Sequence, residues 1–388
     1  MPTSRRPFTF LVSTLTLLLM VSAGIPVGSE PAPDRLYVVI SPLDGPGSSG
    51  VVAFDVDPEG RLTQGSTYAT GGTGSAIKSP QLAVVDPAKD LLFVPNNESD
   101  DVSVLAIGPG GSLSPVAGSP FLAVDSPGDL VLHPSGDWLY VNNFFIGVIS
   151  VHSVSESGRL TLLQTVSAGF THRMEIHPDG GYLYVADFIS GVRGFAIGAD
   201  GTLVELGSSP FAYTSSRPTD IEIDSRGRHL YVLDLDEGLA VFDIAATGEL
   251  VTAVDPPVFI SDFSSAFVLS DNDAHVYASE GFEDAIHAFK VRGNGRPRGL
   301  NRSPFVGDFT IFQMLNPSGT SMLYTVGVDT HRIGALGIAP NGRLSAPEFF
   351  NVVDEDGRAP VGAVFFGDSS PTVGTPSPER GYSPNSSR

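Results

Sequence analysis

The chain has 388 residues, 43 acidic against 22 basic side chains, a formal net charge of −21 and no cysteine. Disulfides and a lipid anchor on an N-terminal cysteine are therefore excluded. A nucleic-acid or anionic-membrane surface is excluded too, since either needs clustered Lys and Arg.

Taken in chain order, the first element is a targeting segment. Arg5 and Arg6 precede an apolar run from Phe10 to Val21, and Val21-Ser22-Ala23 offers a small-residue cleavage site, so residues 1–23 read as a secretory signal peptide. The run is too short to span a bilayer. Ser4-Arg5-Arg6-Pro7-Phe8 also resembles a twin-arginine export signal, which leaves both export routes open. Either route predicts a periplasmic or extracellular protein. Residues 24–33 read as a linker.

From residue 34 onward one phrase recurs seven times. Its strand cores are Leu36-Tyr37-Val38, Leu92-Phe93-Val94, Leu139-Tyr140-Val141, Leu183-Tyr184-Val185, Leu230-Tyr231-Val232, Val276-Tyr277-Ala278 and Leu323-Tyr324-Thr325. A glycine follows each aromatic or tyrosine position by 17 to 23 residues, at Gly60, Gly111, Gly158, Gly201, Gly248, Gly295 and Gly342. After the first unit the step is 44 to 47 residues, the size of one four-stranded propeller blade. Short runs of β-branched and aromatic residues between Gly, Pro, Asp and Asn predict strands and hairpins. No sustained 3.6-residue period predicts a helix.

The first unit lacks an opening strand, while Ala359-Pro360-Val361-Gly362-Ala363-Val364-Phe365-Phe366 overshoots the last. Residues 360–366 are therefore expected to supply the missing inner strand, closing a seven-bladed all-β ring over 34–367 and hiding its sheet edges. Residues 368–388, rich in Ser, Pro and Gly, read as a disordered tail.

Loops that enter the first strand of a blade and leave the second open on one mouth, because those strands are antiparallel. One column there reads Ile40, Asn96, Asn143, Asp187, Asp234, Glu280, Gly327; the other reads Val361, Gln81, Gly128, His172, Thr219, Ser265, Ile311. The fourth and fifth blades thus gather His172, Arg173, Asp187, Arg193, Arg217, Asp220 and Asp234. A histidine among carboxylates and arginines can activate water and stabilise an oxyanion. Equally, Asn and Asp at these positions cap loops through their backbone, with the arginines pairing them. His133 and His177 share a slot with Asp86 and Asp224 before the turn at the opposite face, which reads as a turn device. The acidic runs at 96–101, 234–237 and 271–273 could bind calcium through oxygen ligands, or be solvated loops. No cofactor motif is present.

The span 34–367 resembles the seven-bladed lactonase propellers, which include bacterial 6-phosphogluconolactonase and fungal carboxymuconate cyclases. The resemblance rests on His177-Pro178-Asp179-Gly180, the Leu-Tyr-Val strands and late turns such as Asp200-Gly201-Thr202-Leu203. It implies a histidine at His172, a Pro-Arg-His where Pro218-Thr219-Asp220 stands, and an Asn-Glu where Asp234-Leu235 stands; the arginine, second histidine and glutamate are replaced here. Tyr140-Val141-Asn142-Asn143 also resembles the YVTN repeats of surface propellers.

The resulting expectation is an exported lactonase-like hydrolase opening a small, unphosphorylated lactone. His172 would be the general base, Arg173 or Arg217 the oxyanion partner and Asp234 an orienting group, with Asp187, Arg193 and Asp220 contacting substrate. With an ordinary imidazole, its rate would fall below roughly pH 6 to 7. The alternative is a non-catalytic propeller holding a protein, peptide or glycan at the same mouth. Either is expected to be a monomer, without membrane insertion.

Overall fold

A computed structural model describes residues 34–367 apart from 77, 79, 80, 212–216, 261–263, 281–284, 302, 307–310 and 318. The signal peptide, linker and tail assigned from sequence lie outside the described residues.

Seven antiparallel sheets follow one another around the ring. The third blade comprises Pro127–Leu132, Trp138–Asn143, Val148–Val154 and Leu160–Ser167; the fourth, Thr171–Ile176, Tyr182–Asp187, Gly191–Ile197 and Leu203–Glu205. The fifth comprises Pro218–Ile223, His229–Asp234, Gly238–Ile244 and Leu250–Val258. The first blade is composite, as expected. Asp34–Ser41 pairs with Gly47–Val56 on one side and with Ala359–Phe366 on the other, in the register Leu36 to Phe365 and Val38 to Ala363. The second and sixth blades each gain a two-residue fifth strand, Phe121–Leu122 and Phe305–Val306. Helical content among the described residues is two single 3₁₀ turns, Pro109–Gly111 and Phe144–Ile146.

The Leu-Tyr-Val strands are buried on both faces because each is sandwiched between neighbouring blades. Leu183, Tyr184 and Val185 are fully buried, and each large side chain contributes about 1.5–3 kcal/mol of burial. The recurring glycine has a specific cause. Tyr140, Tyr184, Tyr231, Tyr277 and Tyr324 each donate their hydroxyl to the carbonyl of the next blade's glycine, at 2.8–3.0 Å, reaching Gly201, Gly248, Gly295, Gly342 and, across the closure, Gly60. Tyr37 does the same to Gly111. These glycines have φ between 72° and 83°, a region other residues rarely adopt. A Cβ at Gly201 would also lie 2.4 Å from Trp138 of the preceding blade. Only the second blade lacks this clasp among the seven, because Phe93 stands in the tyrosine position.

Candidate functional site: the channel mouth

The inner strands carry a repeated irregularity at the mouth. Thr171 faces Asp187 and Met174 faces Val185, so His172 and Arg173 together oppose a single residue, Ala186. Comparable shifts occur at Pro218/Asp220 and Val141/Asn143. Such bulges bend a strand and redirect its side chains. Here the bulge separates the seven candidate residues into three settings.

His172 sits half-buried among rings. Phe144 meets it edge-on with centroids 5.0 Å apart, Phe188 lies at 5.1 Å and Phe170 at 6.3 Å. Phe144 and Phe170 pack against each other at 4.5 Å. Burial in this apolar setting pushes the imidazole pKa down to about 4, helped by the nearby Arg173 charge. The ring is therefore neutral across the whole physiological range.

Arg173 belongs instead to the central channel. It is buried, and its Nε lies 3.6 Å from an Asp220 carboxylate oxygen. Around it the inner strands of blades three to five place Asp129, Glu175, Asp220 and Glu222. Each of three carboxyls holds the following blade's backbone: Asp129 accepts from Met174 N at 2.7 Å, Asp220 from Phe267 N at 3.1 Å, and Glu222 from Leu269 N at 2.7 Å. Burial raises Asp129 to about 7 against the opposing pull of Arg173. Burial, reinforced by Asp129 and Asp220, raises Glu175 to about 8. Asp220 and Glu222 are likewise raised by burial.

Asp187 and Asp234 hold the loops of the mouth. Asp187 Oδ1 accepts from Phe170 N and Ile189 N, while its Oδ2 pairs with Arg193 at 3.0 Å. Arg193 also binds Glu205 at 2.8 Å. Asp234 accepts from the backbone of Arg217, Asp236 and Glu237, and Arg217 forms a two-pronged pair with Asp236. Asn143 caps the equivalent loop of blade three through Val124 N and Asp125 N. The structure thus leaves the Arg173 charge near His172, while Asp234 and Arg217 engage partners other than the imidazole.

The acidic runs show the same economy. Asn96 donates to Asp101 at 2.6 Å, Asp100 accepts from Ser126 N, and Asp271 and Asp273 tie neighbouring turns through Gly319 and Ser225. No group of three or more His, Asp or Glu among the described residues could hold a metal ion. On the opposite face, His133 and His177 each place Nε2 against the next blade's turn, at Gly180 O and Gly227 O.

Sequence reading overlooked the phenylalanines and the channel carboxyls. Phe144 and Phe188 each directly follow the loop-capping column, where the second and fifth blades have Asn97 and Leu235, so an aromatic enrichment in two adjacent blades was readable. The channel set was signalled by Asp and Glu two residues apart in Asp220-Ile221-Glu222, an inward-facing pair on an otherwise apolar strand.

The ring and its mouth define a seven-bladed β-propeller. No protein-family model matches the chain. Among solved structures it is similar to a candidate 6-phosphogluconolactonase of Bacteroides fragilis, with 19% identity and a TM-score of 0.70 over 86% of this chain and 98% of that one. It is similar to the periplasmic gluconolactonase PpgL of Pseudomonas aeruginosa, with 18% identity and a TM-score of 0.68 over 86% and 98%. At these identities the likeness concerns the fold. A curated relative, the 6-phosphogluconolactonase of Sodalis glossinidius (strain morsitans), is 27% identical over 209 residues, covering 40% of this chain and 61% of that protein. The match therefore spans less than two thirds of that relative's length.

Proposed function

We propose that this chain is an exported lactonase-like hydrolase acting at the channel mouth. The carrying observation is His172, a neutral imidazole at the mouth whose neighbours among the described residues are rings rather than hydrogen-bonding groups. Kinship in fold with proteins described as gluconolactonases supports the reaction class, and the apolar run near residue 10, together with the periplasmic relative, supports the location.

In this reading water attacks the lactone carbonyl carbon and gives one proton to a ring nitrogen of His172. The tetrahedral oxyanion develops near the Arg173 guanidinium, which acts through its charge. The acyl–oxygen bond of the ring then breaks, and the departing alkoxide takes the proton back from the imidazolium. One water is consumed and one hydroxy acid formed. Asp187 and Asp234 act by holding the loops, with Arg193 paired to Asp187 and Arg217 to Asp236.

Purified protein should open lactones faster than buffer, and His172→Ala should lose about 10²–10⁴-fold while melting normally. Because His172 stays unprotonated down to about 4, the rate should hold through pH 6 and fall only near pH 4. This replaces the fall near pH 6 to 7 expected of an ordinary histidine. Turnover that survives His172→Ala would reject the assignment.

A second reading is favoured by the residues present: Thr219 and Leu235 stand where the lactonase resemblance implies arginine and glutamate. On that reading the mouth binds a ligand without converting it, and a broad lactone panel gives no turnover.

A further inference from the structure

The mouth is unusually apolar for so acidic a protein. Phe145, Ile146 and Ile189 are 49%, 45% and 71% exposed, and they stand on the same loops as Phe144 and Phe188, directly beside the ring cluster around His172. Val124, whose N–H is held by the loop-capping Asn143 of the third blade, is also exposed. Exposed apolar surface gathered on one face, rather than scattered, marks a binding site. Exposed apolar residues on the outer strands are spread over several blades, among them Leu162 and Leu163, Val204 and Val251.

Charge gives the second constraint. The described cations beside this ring cluster are matched by carboxylates. Lys78 lies 3.4 Å from Glu98 and 5.9 Å from the Phe145 ring centroid. Arg193 holds Asp187 and Glu205, Arg217 holds Asp236 with its guanidinium 6.0 Å from the Phe188 centroid, and Arg173 faces Asp220. A phosphate or carboxylate ligand, fully charged before reaction, would compete with these carboxylates for the guanidinium groups, whereas a neutral lactone develops charge beside Arg173 only as it reacts. A polyhydroxylated ring would leave its hydroxyls against phenylalanine edges, where unpaired polar groups are costly. The clefts on the seventh blade, at Ser321, Asn341 and Arg343, and at its seam with the first, at Glu59 and Glu348, offer no histidine and no aromatic wall.

We infer that the ligand of the mouth is a neutral lactone bearing an alkyl or aryl substituent, with the Phe144, Phe170 and Phe188 rings and the Ile189 rim forming the substituent's subsite beside His172. This deepens the lactonase reading and rests on it for the reaction, though the subsite itself is testable by binding. The recognition is apolar area: about 0.8 kcal/mol for each methylene fully buried, or roughly fourfold per carbon.

The test uses the full-length exported protein and two readouts. The first compares kcat/KM, corrected for hydroxide-driven opening, for a γ-lactone with a pentyl substituent, unsubstituted γ-butyrolactone, glucono-δ-lactone and its 6-phosphate. The pentyl lactone is expected to exceed the unsubstituted and sugar lactones at least tenfold. Ile189→Ser and Phe170→Ala should shrink that ratio while leaving the opening of unsubstituted lactone less affected. The second readout is calorimetric binding of 2-pentylcyclopentanone, a ring that cannot be hydrolysed, compared with cyclopentanone. It should bind the wild type and His172→Ala but weakly or not at all Phe170→Ala. Failure of every lactone with ketone binding intact would sink the hydrolase reading and keep the subsite. Preference for sugar lactones, a ratio unmoved by Ile189→Ser, or no ketone binding would overturn the inference.

Discussion

The tyrosine–glycine clasps make a signed prediction about stability. In five blades a buried tyrosine hydroxyl donates to a buried glycine carbonyl of the next blade at 2.8–3.0 Å. Tyr231→Phe removes the donor and leaves Gly295 O without it, inside a packed inter-blade seam. Leaving such a group unsatisfied costs about 1–3 kcal/mol. Phe93→Tyr is the converse. It supplies the donor that the second blade lacks, toward Gly158, whose φ of 77° matches the other clasp glycines, and it should gain roughly 0.5–1.5 kcal/mol. Burial pushes the Tyr231 phenol pKa upward, so the donor persists across ordinary pH. Unfolding entropy of about 2.1 cal/mol/K per residue gives roughly 0.7 kcal/mol/K for residues 34–367, so each kcal/mol shifts Tm by about 1.4 °C. Differential scanning calorimetry at pH 7 should then show Tyr231→Phe lower by about 1–4 °C and Phe93→Tyr higher by about 1–2 °C. Equal, near-zero shifts in both variants would refute the role given to the clasp, and so would a destabilised Phe93→Tyr.

Three further outcomes follow from buried titrating groups and ring closure. His152 is 1% exposed and faces Leu139, the position filled by Phe54, Phe195, Phe242 and Phe289 in other blades; burial lowers its pKa to about 4. The unfolded chain takes up that proton more readily, so its contribution is complete above about pH 6.5 and lost toward pH 4, about 3 kcal/mol in all. His152→Leu should flatten the acid limb of Tm against pH, and an unchanged limb would count against it. Glu175 and Asp129 act oppositely: with folded pKa values raised to about 8 and about 7, their contribution is greatest at acid pH and is lost as pH rises from about 4.5 to 8. Glu175→Gln should gain stability over the wild type as pH climbs to 9, whereas parallel curves would show that Glu175 titrates normally. Deleting 359–388 removes Ala359, Val361 and Ala363, all buried in the first blade, and should yield aggregated protein, while deleting 370–388 should leave melting unchanged; a cooperative melt from the longer deletion would contradict closure by this strand.

The seven blades, the composite first blade and the near-absence of helix were legible in the sequence because they rest on local, repeated patterns. Leu36-Tyr37-Val38 and its six counterparts alternate and recur at blade length, and the orphan strand at 359–366 has one vacant place to pair. Gly201 and its equivalents were visible as a period, but their partner was not, since the tyrosine that binds each one lies in the preceding blade, 61 to 74 residues away except across the closure. The same limit governed the mouth. Sequence columns placed His172, Asp187, Asp234 and Arg217 on one face, yet only the folded chain assigned Asp187 and Asp234 to backbone amides, Arg217 to Asp236 and His172 to a ring cluster. Backbone periodicity fixes which residues share a face, whereas hydrogen-bond partners, bulges and burial arise between blades and determine what each polar side chain is able to do.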